Sequence, residues 1–226
     1  MLSVVIPTYN ERENMGLLLE RLSRALGELG MESEVIVVDD DSPDRTWEAA
    51  QEFTGLPGMR VIRRVSKKGL ASAVFEGARA SRGDVICVMD ADLSHPPEAI
   101  PRIMSRLGEN DIVVASRRVT GGGAENWPAS RRLASWAGRL AVRPLVSVRD
   151  PMSGFFFVKR DVLYGMRFRP RGFKILLDIL VRSRAERIEE IPYLFKDRRR
   201  GTSKLKLKTL VDYALQVFDL YTYRIV

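Results

Sequence analysis

The chain has 226 residues, of which 45% are hydrophobic, and this composition supports a sizeable core and excludes an intrinsically disordered chain. The formal net charge of +8 at pH 7 indicates an anionic partner, whether nucleic acid, an anionic membrane surface or a phosphorylated substrate. A single cysteine excludes an internal disulfide. No window approaches 18 consecutive apolar residues, so the sequence predicts no transmembrane helix, and residues 2–7 are typical of a core strand rather than a signal peptide.

The first half of the chain alternates strand-like runs with helical patterns. The predicted strands are 3–7, 34–39, 60–64, 84–89 and 111–115. Repeated strand–helix–strand units predict an α/β fold with a mostly parallel, Rossmann-like sheet flanked by helices. We expect one domain, with a nucleotide-binding half (1–118), a second half (119–204) and a C-terminal amphipathic helix (205–226).

Residues 85–97, with the sequence VICVMDADLSHPP, combine a short apolar run with two carboxylates. The run is typical of a buried strand in a parallel sheet, and ligands of such sheets collect beyond the carboxyl ends of strands. Asp90 and Asp92 are therefore candidates to hold a divalent cation against a substrate phosphate. The alternative is a polar turn in which an Asp or Ser94 caps a helix.

Polar residues also follow the other predicted strands: 7–11 after the first, 39–44 after the second and Lys67 after the third. Taken singly, each is a plausible helix cap or solvated turn, with Asn10 and Asp44 as cap candidates. Taken jointly, they favour one crevice suited to hydroxyls, a base edge, a phosphate and a metal. The sequence has neither a G-x-G-x-x-G motif after a strand nor a P-loop, which disfavours NAD-dependent oxidoreductases and P-loop enzymes, and its one histidine, His95, has no partner set for a triad.

These motifs in their order resemble glycosyltransferase family 2, and within it the members that transfer mannose from GDP-mannose to dolichyl phosphate. The resemblance covers nearly the whole chain, and it implies a nucleotide-sugar-binding half (1–118) and an acceptor-binding half (119–204). It implies a glycosyltransferase A-type (GT-A) fold, a GDP-sugar donor and a Mg²⁺ or Mn²⁺ ion. The positions that match the family's nucleotide-sugar pocket are Pro7, Tyr9, Glu11, Val37, Asp39, Lys67, Asp90, Ala91 and Asp92.

The same resemblance assigns Asp90 and Asp92 to catalysis and, with Ser94, to the metal. Ser94 stands where the family often has Gln, so metal contact there is expected to go through water. Asp41 replaces a common Gly and adds a charge beside the nucleotide site.

A basic amphipathic helix is predicted at about 127–146, where no acid interrupts the chain between Glu125 and Asp150. Such a helix is typical of a membrane interface, and the alternative is an ordinary helix packed on the sheet with solvated arginines. Arg131 and Ser135 share one face of it and, with Arg117, form a candidate anion pocket. The resemblance assigns the phosphate of the lipid acceptor to these three residues.

Further along, residues 172–183 have a helical pattern that contains Asp178, for which a positioning or structural role is favoured over that of a general base. Residues 196–208 carry seven basic side chains, and the resemblance makes Arg198 and Lys204 part of a loop that closes over the phosphates. The final helix has an apolar stripe and is too charged to span a bilayer.

The resemblance, together with these features, implies a metal-dependent, inverting transfer of mannose from GDP-mannose to dolichyl phosphate at the cytoplasmic face of a membrane. Small membrane subunits, or a transmembrane segment outside this sequence, are further expected partners, and nucleic acid is not. Two alternatives stay open: a polyprenyl-phosphate glucosyltransferase that uses UDP-glucose, and a basic nucleic-acid-binding protein.

Overall fold

The computed structural model describes residues 1–66, 69–125, 127–164, 166, 173–196 and 207–225. The strands in these ranges are β1 (Leu2–Thr8), β2 (Ser33–Asp39), β3 (Arg60–Arg63), β4 (Val85–Val88), β5 (Ile112–Ser116), β6 (Gly123–Ala124), β7 (Phe156–Lys159), β8 (Ile188–Pro192) and β9 (Leu194–Phe195). The helices are α1 (Arg12–Gly27), α2 (Thr46–Gln51), α3 (Leu70–Ala80), α4 (Ile100–Met104), α5 (Ala129–Val142), α6 (Arg160–Leu163), α7 (Ile175–Arg182) and α8 (Leu207–Ile225). A 3₁₀ turn at Pro97–Ala99 precedes α4.

Seven of these strands form one sheet in the order β3-β2-β1-β4-β7-β5-β8. All neighbouring pairs run parallel except those made by β7, which lies antiparallel between β4 and β5. The short strands β6 and β9 pair separately. The α/β fold with a mostly parallel sheet is therefore confirmed, and the five predicted strands agree with the observed ones to within one residue at either end.

Both faces of the sheet are covered, which explains why the strands have continuous apolar sequences. Along β1, Val4 and Ile6 pack into one core with α1, whereas Val5 packs into the other with α3. Because successive side chains of a strand point to opposite faces, a run such as Val4–Ile6 supplies both cores at once. The rigid sheet fixes the positions of its carboxyl-terminal strand ends, where the predicted site residues lie.

Helices α5 and α8 pack together in the second half of the described chain. Val142, Leu145, Leu177 and Leu220 form a small core between α5, α7 and α8. The Tyr213 hydroxyl donates to the Gly138 carbonyl (2.7 Å) and the Tyr221 hydroxyl to that of Ala141 (2.8 Å). Helix α5 is shorter than the predicted 127–146, since it begins after Pro128 and ends before Pro144.

Asp178 on α7 belongs to a polar network that holds α8 in place. Arg182 donates to Asp178 (3.0 Å) and also pairs with Asp219 of α8. The Gln216 amide donates to the other Asp178 oxygen (3.0 Å). The structural role that the sequence favours for Asp178 thus has a physical basis.

Among the helices that the structure describes, none combines the length and apolarity that a bilayer-spanning segment needs.

Candidate functional site

The ends of β1 and β2 form the first wall of the site. Thr8 and Asp39 are neighbours across the two strands, and the Thr8 hydroxyl donates to the buried Asp39 carboxylate (2.8 Å). The Ser42 main-chain N–H (2.8 Å) and hydroxyl (2.6 Å) donate to the same carboxylate. Asp39 therefore fixes the loop after β2, and its direct contact with a nucleotide stays a prediction.

The other residues predicted for the nucleotide pocket surround this point. Pro7 and Val37 are buried within the strands, whereas the Tyr9 side chain is exposed at the end of β1. Glu11 accepts a hydrogen bond from the Asn14 amide (2.7 Å) at the start of α1. Asp41, the expected extra charge, is paired with Arg63 (2.6 Å), so its charge is partly neutralised beside the crevice.

Asp92 is the more buried of the two acids that follow β4. It is 4% exposed, and its Oδ1 accepts hydrogen bonds from the Ser94 main-chain N–H (3.1 Å) and hydroxyl (2.5 Å). Leu93 between them has a φ of 63°, a left-handed conformation that turns the chain back toward Asp92. Ser94 is fully buried and orients Asp92, so its predicted contact with a metal stays a prediction.

Asp90 is more open, and His95 determines its position. The Asp90 main-chain N–H donates to Nδ1 of His95 (2.9 Å), so the imidazole proton is on Nε2, 3.8 Å from Asp90 Oδ2. Burial lowers the pKa of His95, although the charges of Asp90 and Asp92 act in the opposite direction. Because the pKa is lowered, the imidazole is neutral at pH 7. The Asp90 side chain is 37% exposed, so Asp90 is the more accessible of the two acids.

An aromatic cluster holds His95 in place. Its ring stacks on Phe155 with the centroids 5.3 Å apart and meets the edges of Tyr193 (5.9 Å) and Phe195 (6.1 Å). Gly154 lies against the same group, because a Cβ there would be 3.0 Å from Asp90 Oδ2 and 3.1 Å from His95 Cε1. The sequence analysis found no triad partners for His95, and the structure shows that His95 instead holds the main chain of Asp90.

These two acids suit a divalent cation that substrate phosphates help to coordinate. No group of three or more His, Cys, Asp or Glu side chains that could hold a metal occurs among the described residues. Mg²⁺ and Mn²⁺ at nucleotide sites use one or two carboxylates, with phosphate oxygens and water completing the coordination. A partly exposed Asp90 beside an oriented Asp92 fits that donor set, with Ala91 buried between them.

Arg117, at the end of β5, is held by Asp150. Its Nε and Nη2 each lie 2.7 Å from a different Asp150 oxygen, and its main-chain N–H donates to the same carboxylate (3.0 Å). Burial opposes the charge of Arg117, but the hydrogen bonds and charge of Asp150 raise the pKa of the guanidinium. The sequence analysis placed Arg117 in an anion pocket, and the structure adds a buried counter-charge that the pattern did not reveal.

Arg131 and Ser135, the residues predicted to bind an anion with Arg117, lie on α5. The Trp127 ring is close to the guanidinium groups of several arginines here. The guanidinium of Arg131 is 4.3 Å from the Trp127 ring centroid, and that of Arg117 is 5.4 Å from it. Both also face Phe195, at 5.7 and 5.6 Å. The Ser135 hydroxyl accepts a hydrogen bond from Arg118 (3.0 Å), a residue that the sequence analysis did not select.

Phe195 links the two ends of the site, since it touches His95 beside Asp90 and also Arg117 and Arg131.

Lys174, immediately before α7, is a further cation here that the sequence analysis missed. Burial, together with the charge of Arg117, lowers the pKa of Lys174 to about 8, against the opposing charges of Asp90 and Asp150. The site therefore has an acidic end and a cationic end. Lys67, Arg198 and Lys204, three predicted phosphate contacts, lie outside the described residues.

Residues 3–167 match the family model of Glycosyl transferase family 2. The chain is 47% identical to a dolichol-phosphate mannosyltransferase of Pyrococcus furiosus over 223 residues, 96% of this chain and 63% of that protein. It is 38% identical to a protein of the same name from Mycosarcoma maydis over 234 residues, 98% of this chain and 79% of that protein.

Among solved structures, the chain resembles glucosyl-3-phosphoglycerate synthase from Mycobacterium tuberculosis in complex with Mn²⁺, uridine diphosphate and phosphoglyceric acid. The TM-score is 0.70 at 22% identity, covering 99% of this chain and 78% of that one. At that identity the likeness concerns the fold, and it confirms the GT-A-type arrangement predicted from the motifs.

Proposed function

Because the chain belongs to glycosyltransferase family 2, we propose that it transfers mannose from GDP-mannose to dolichyl phosphate, releasing GDP. The observation that carries the proposal is the continuity of the site. Phe195 joins the Asp90 end, suited to a metal-bound diphosphate, to an arginine end suited to a phosphate monoester. Similar relatives named for a lipid-phosphate acceptor support the same assignment.

At the donor end, Tyr9, Glu11 and the loop fixed by Asp39 would surround the nucleotide, and Asp90 and Asp92 would hold a divalent cation. When bound, that cation supplies positive charge to the departing diphosphate. Ser94 and His95 contribute indirectly, because they fix the Asp92 carboxylate and the Asp90 main chain. Holding charged groups in fixed positions before the reaction is a large contribution to catalysis in such sites.

At the acceptor end, Arg131, Ser135 and Arg117 would orient the lipid phosphate for in-line attack on the anomeric carbon, with inversion. A phosphate oxygen forms the new bond as the bond to GDP breaks. A phosphate monoester has a second pKa of about 6, so it is already anionic at pH 7 and needs no general base. Asp178 accepts hydrogen bonds from Arg182 and Gln216, which is consistent with a reaction that does not use it as a general base.

A membrane surface would bring the lipid to the site. Three apolar side chains at helical spacing are exposed on α5 (Leu133, Trp136 and Leu140), and three more on α8 (Val211, Leu215 and Phe218). Exposed apolar residues beside arginines are typical of helices that lie in an interface with anionic lipids. We place the reaction at the cytoplasmic face of such a membrane.

The decisive experiment measures transfer of labelled sugar from a panel of nucleotide sugars to polyprenyl phosphate, with and without Mg²⁺ or Mn²⁺. We expect mannose from GDP-mannose to be transferred and EDTA to abolish the reaction. Asp92→Asn retains an oxygen that can accept from Ser94, so it should fold normally yet lose at least about a hundredfold in rate. Asp161→Asn, at an exposed acid of α6, is the matched control. Preference for UDP-glucose, or a fully active Asp92→Asn variant, would overturn the proposal.

Membrane docking is tested separately by vesicle flotation. A Leu133→Ser/Phe218→Ser double variant should bind anionic vesicles at least about tenfold more weakly, since each apolar side chain contributes roughly 1.5–3 kcal/mol when buried. Leu17→Ser, at an exposed leucine of α1, is the control and should bind like the wild type. Unchanged vesicle binding of the double variant, or tight binding to RNA or DNA instead of vesicles, would contradict this part.

A further inference from the structure

Arg118 occupies the cationic end of the site, although it is absent from the set of residues that the family resemblance assigns. It directly follows Arg117, and the two guanidinium groups have different partners. Arg117 turns to Asp150, while Arg118 reaches α5 and donates from Nη2 to the Ser135 hydroxyl (3.0 Å). Its own main-chain N–H donates to the Ser116 hydroxyl (3.1 Å), which anchors its backbone at the end of β5.

The contact with Arg118 determines what Ser135 can do. A guanidinium has only donors, so the Ser135 oxygen must act as the acceptor in this hydrogen bond. The hydroxyl proton therefore points away from Arg118 and is available to an anion at the same end of the site. The nearby Arg131 and Arg117, grouped around Trp127, show where that anion would be attracted.

The charge balance around Arg118 also calls for an anion. The pKa of Arg118 is lowered, first by burial and then by the positive charges of Arg139, Arg117 and Arg132. The negative charge of Asp150 raises this pKa but offsets only part of the lowering. Within the part of the chain that the structure describes, two buried N–H groups of this cluster lack a hydrogen-bond partner: Nε of Arg118 and Nε1 of Trp127. Buried donors without acceptors are costly, and a phosphate supplies several acceptor oxygens at once.

We propose that Arg118 is a positioning residue for the acceptor phosphate. It holds the Ser135 hydroxyl as a donor toward that phosphate and completes the cationic group formed with Arg131. The inference rests on the proposed function and extends it, because it names which group orients Ser135. Arg117, which is paired with Asp150, keeps the role proposed for it above, and Arg118 adds a second arginine to the same end of the site.

The test compares Arg118→Met, Ser135→Ala and the double variant in steady-state transfer from GDP-mannose to polyprenyl phosphate in detergent micelles. We expect each single variant to raise the KM for polyprenyl phosphate roughly tenfold, the size of one lost hydrogen bond to a charged group, with the KM for GDP-mannose unchanged. Because Arg118 acts through Ser135, the double variant should be little worse than either single variant. Arg118→Lys, which keeps the charge, should recover part of the loss.

Arg79→Met removes the same charge from an exposed position on α3 and should behave like the wild type. An unchanged KM for polyprenyl phosphate in Arg118→Met, or fully additive effects in the double variant, would overturn this inference while leaving the proposed function intact. A wild-type chain that transfers no sugar to any polyprenyl phosphate would instead overturn the proposed function.

Discussion

Asp150 binds Arg117 through two parallel hydrogen bonds of 2.7 Å, one from Nε and one from Nη2; Asp150 is buried, and the Arg117 side chain is only 10% exposed. Burial favours the protonated acid, but the hydrogen bonds and charge of Arg117 hold the pKa of Asp150 below its usual range. The Asp150 main-chain N–H in turn donates to Glu190 of β8 (3.0 Å). This chain of contacts joins the end of β5 to the edge strand and fixes one end of the site.

Asp150→Asn should therefore destabilise the protein strongly. The substitution leaves the Arg117 guanidinium buried without a counter-charge, and breaking a buried pair in this way costs about 3–5 kcal/mol. Urea unfolding followed by circular dichroism measures the change. The control is Asp84→Asn, whose carboxylate pairs with the N-terminus at an exposed position and should cost about 1 kcal/mol or less. Equal effects of the two substitutions would contradict the importance of the buried pair.

Gly154→Ala should impair transfer while leaving the fold intact. The added Cβ would lie 3.0 Å from Asp90 Oδ2 and 3.1 Å from His95 Cε1, so the Asp90 carboxylate must move by a few tenths of an ångström. Small displacements of catalytic groups lower rates by about ten- to a hundredfold. The measurement is kcat for sugar transfer, with the melting temperature as a check on folding.

Gly16→Ala provides the matched control for that substitution. No atom lies within 4 Å of a Cβ at this position of α1, so alanine should stabilise the helix by about 0.5–1 kcal/mol and leave transfer unchanged. A Gly154→Ala variant with wild-type kcat would show that Asp90 tolerates displacement and would weaken its assignment to the diphosphate.

His95→Phe separates the hydrogen bond of His95 from its packing. A phenyl ring can keep the stacking on Phe155, but it offers no acceptor to the Asp90 main-chain N–H. We expect a loss of about 1–3 kcal/mol in unfolding free energy, typical of an unsatisfied donor, and weaker Mn²⁺ binding in the presence of GDP. Titration calorimetry measures the second effect. Wild-type Mn²⁺ affinity in this variant would mean that His95 does not position Asp90.

The acidic end of the site was predictable from the sequence because its signals are local. Asp90 and Asp92 directly follow a buried strand, and parallel topology brings the ends of β1, β2 and β4 to one edge. The cationic end depends on contacts between distant residues. Arg117 meets Asp150 and Arg118 meets Ser135 only after β5, α5 and the loop before β7 have packed together.

Strand β8 and helix α5 show two further limits of local patterns. Strand β8 was missed because its sequence, IEEIP, contains two glutamates, and these are partnered by groups elsewhere in the fold: Asn110 for Glu189 and Arg149 for Glu190. The basic helix predicted at about 127–146 is observed at Ala129–Val142, because Pro128 and Pro144 restrict the backbone at its two ends. The end before Pro144 agrees with the expectation that this proline ends or kinks the helix, whereas the effect of Pro128 on its start was not predicted.

Lys174 allows a prediction about pH. Burial, with the charge of Arg117, lowers its pKa to about 8 from an ordinary value of 10.5, so between these values the unfolded chain binds more protons than the folded one. The contribution of Lys174 to stability is therefore least favourable below pH 8 and improves as the pH rises toward 10.5. At pH 7, Lys174→Met should raise the free energy of unfolding by on the order of 1–3 kcal/mol, and this gain should shrink between pH 8 and 10.5.

Transfer by Lys174→Met should fall, because the variant removes a cation whose charge interacts with both ends of the site. Lys174→Arg is the control, since arginine stays charged throughout this range. Its free energy of unfolding at pH 7 should not rise above that of the wild type. Unfolding curves at several pH values, set beside kcat at pH 7, test both effects together. If Lys174→Met and the wild type gave parallel stability profiles from pH 7 to 10.5, the fold would not lower the pKa of Lys174. A stabilised variant with full activity would show that the charge of Lys174 serves neither substrate.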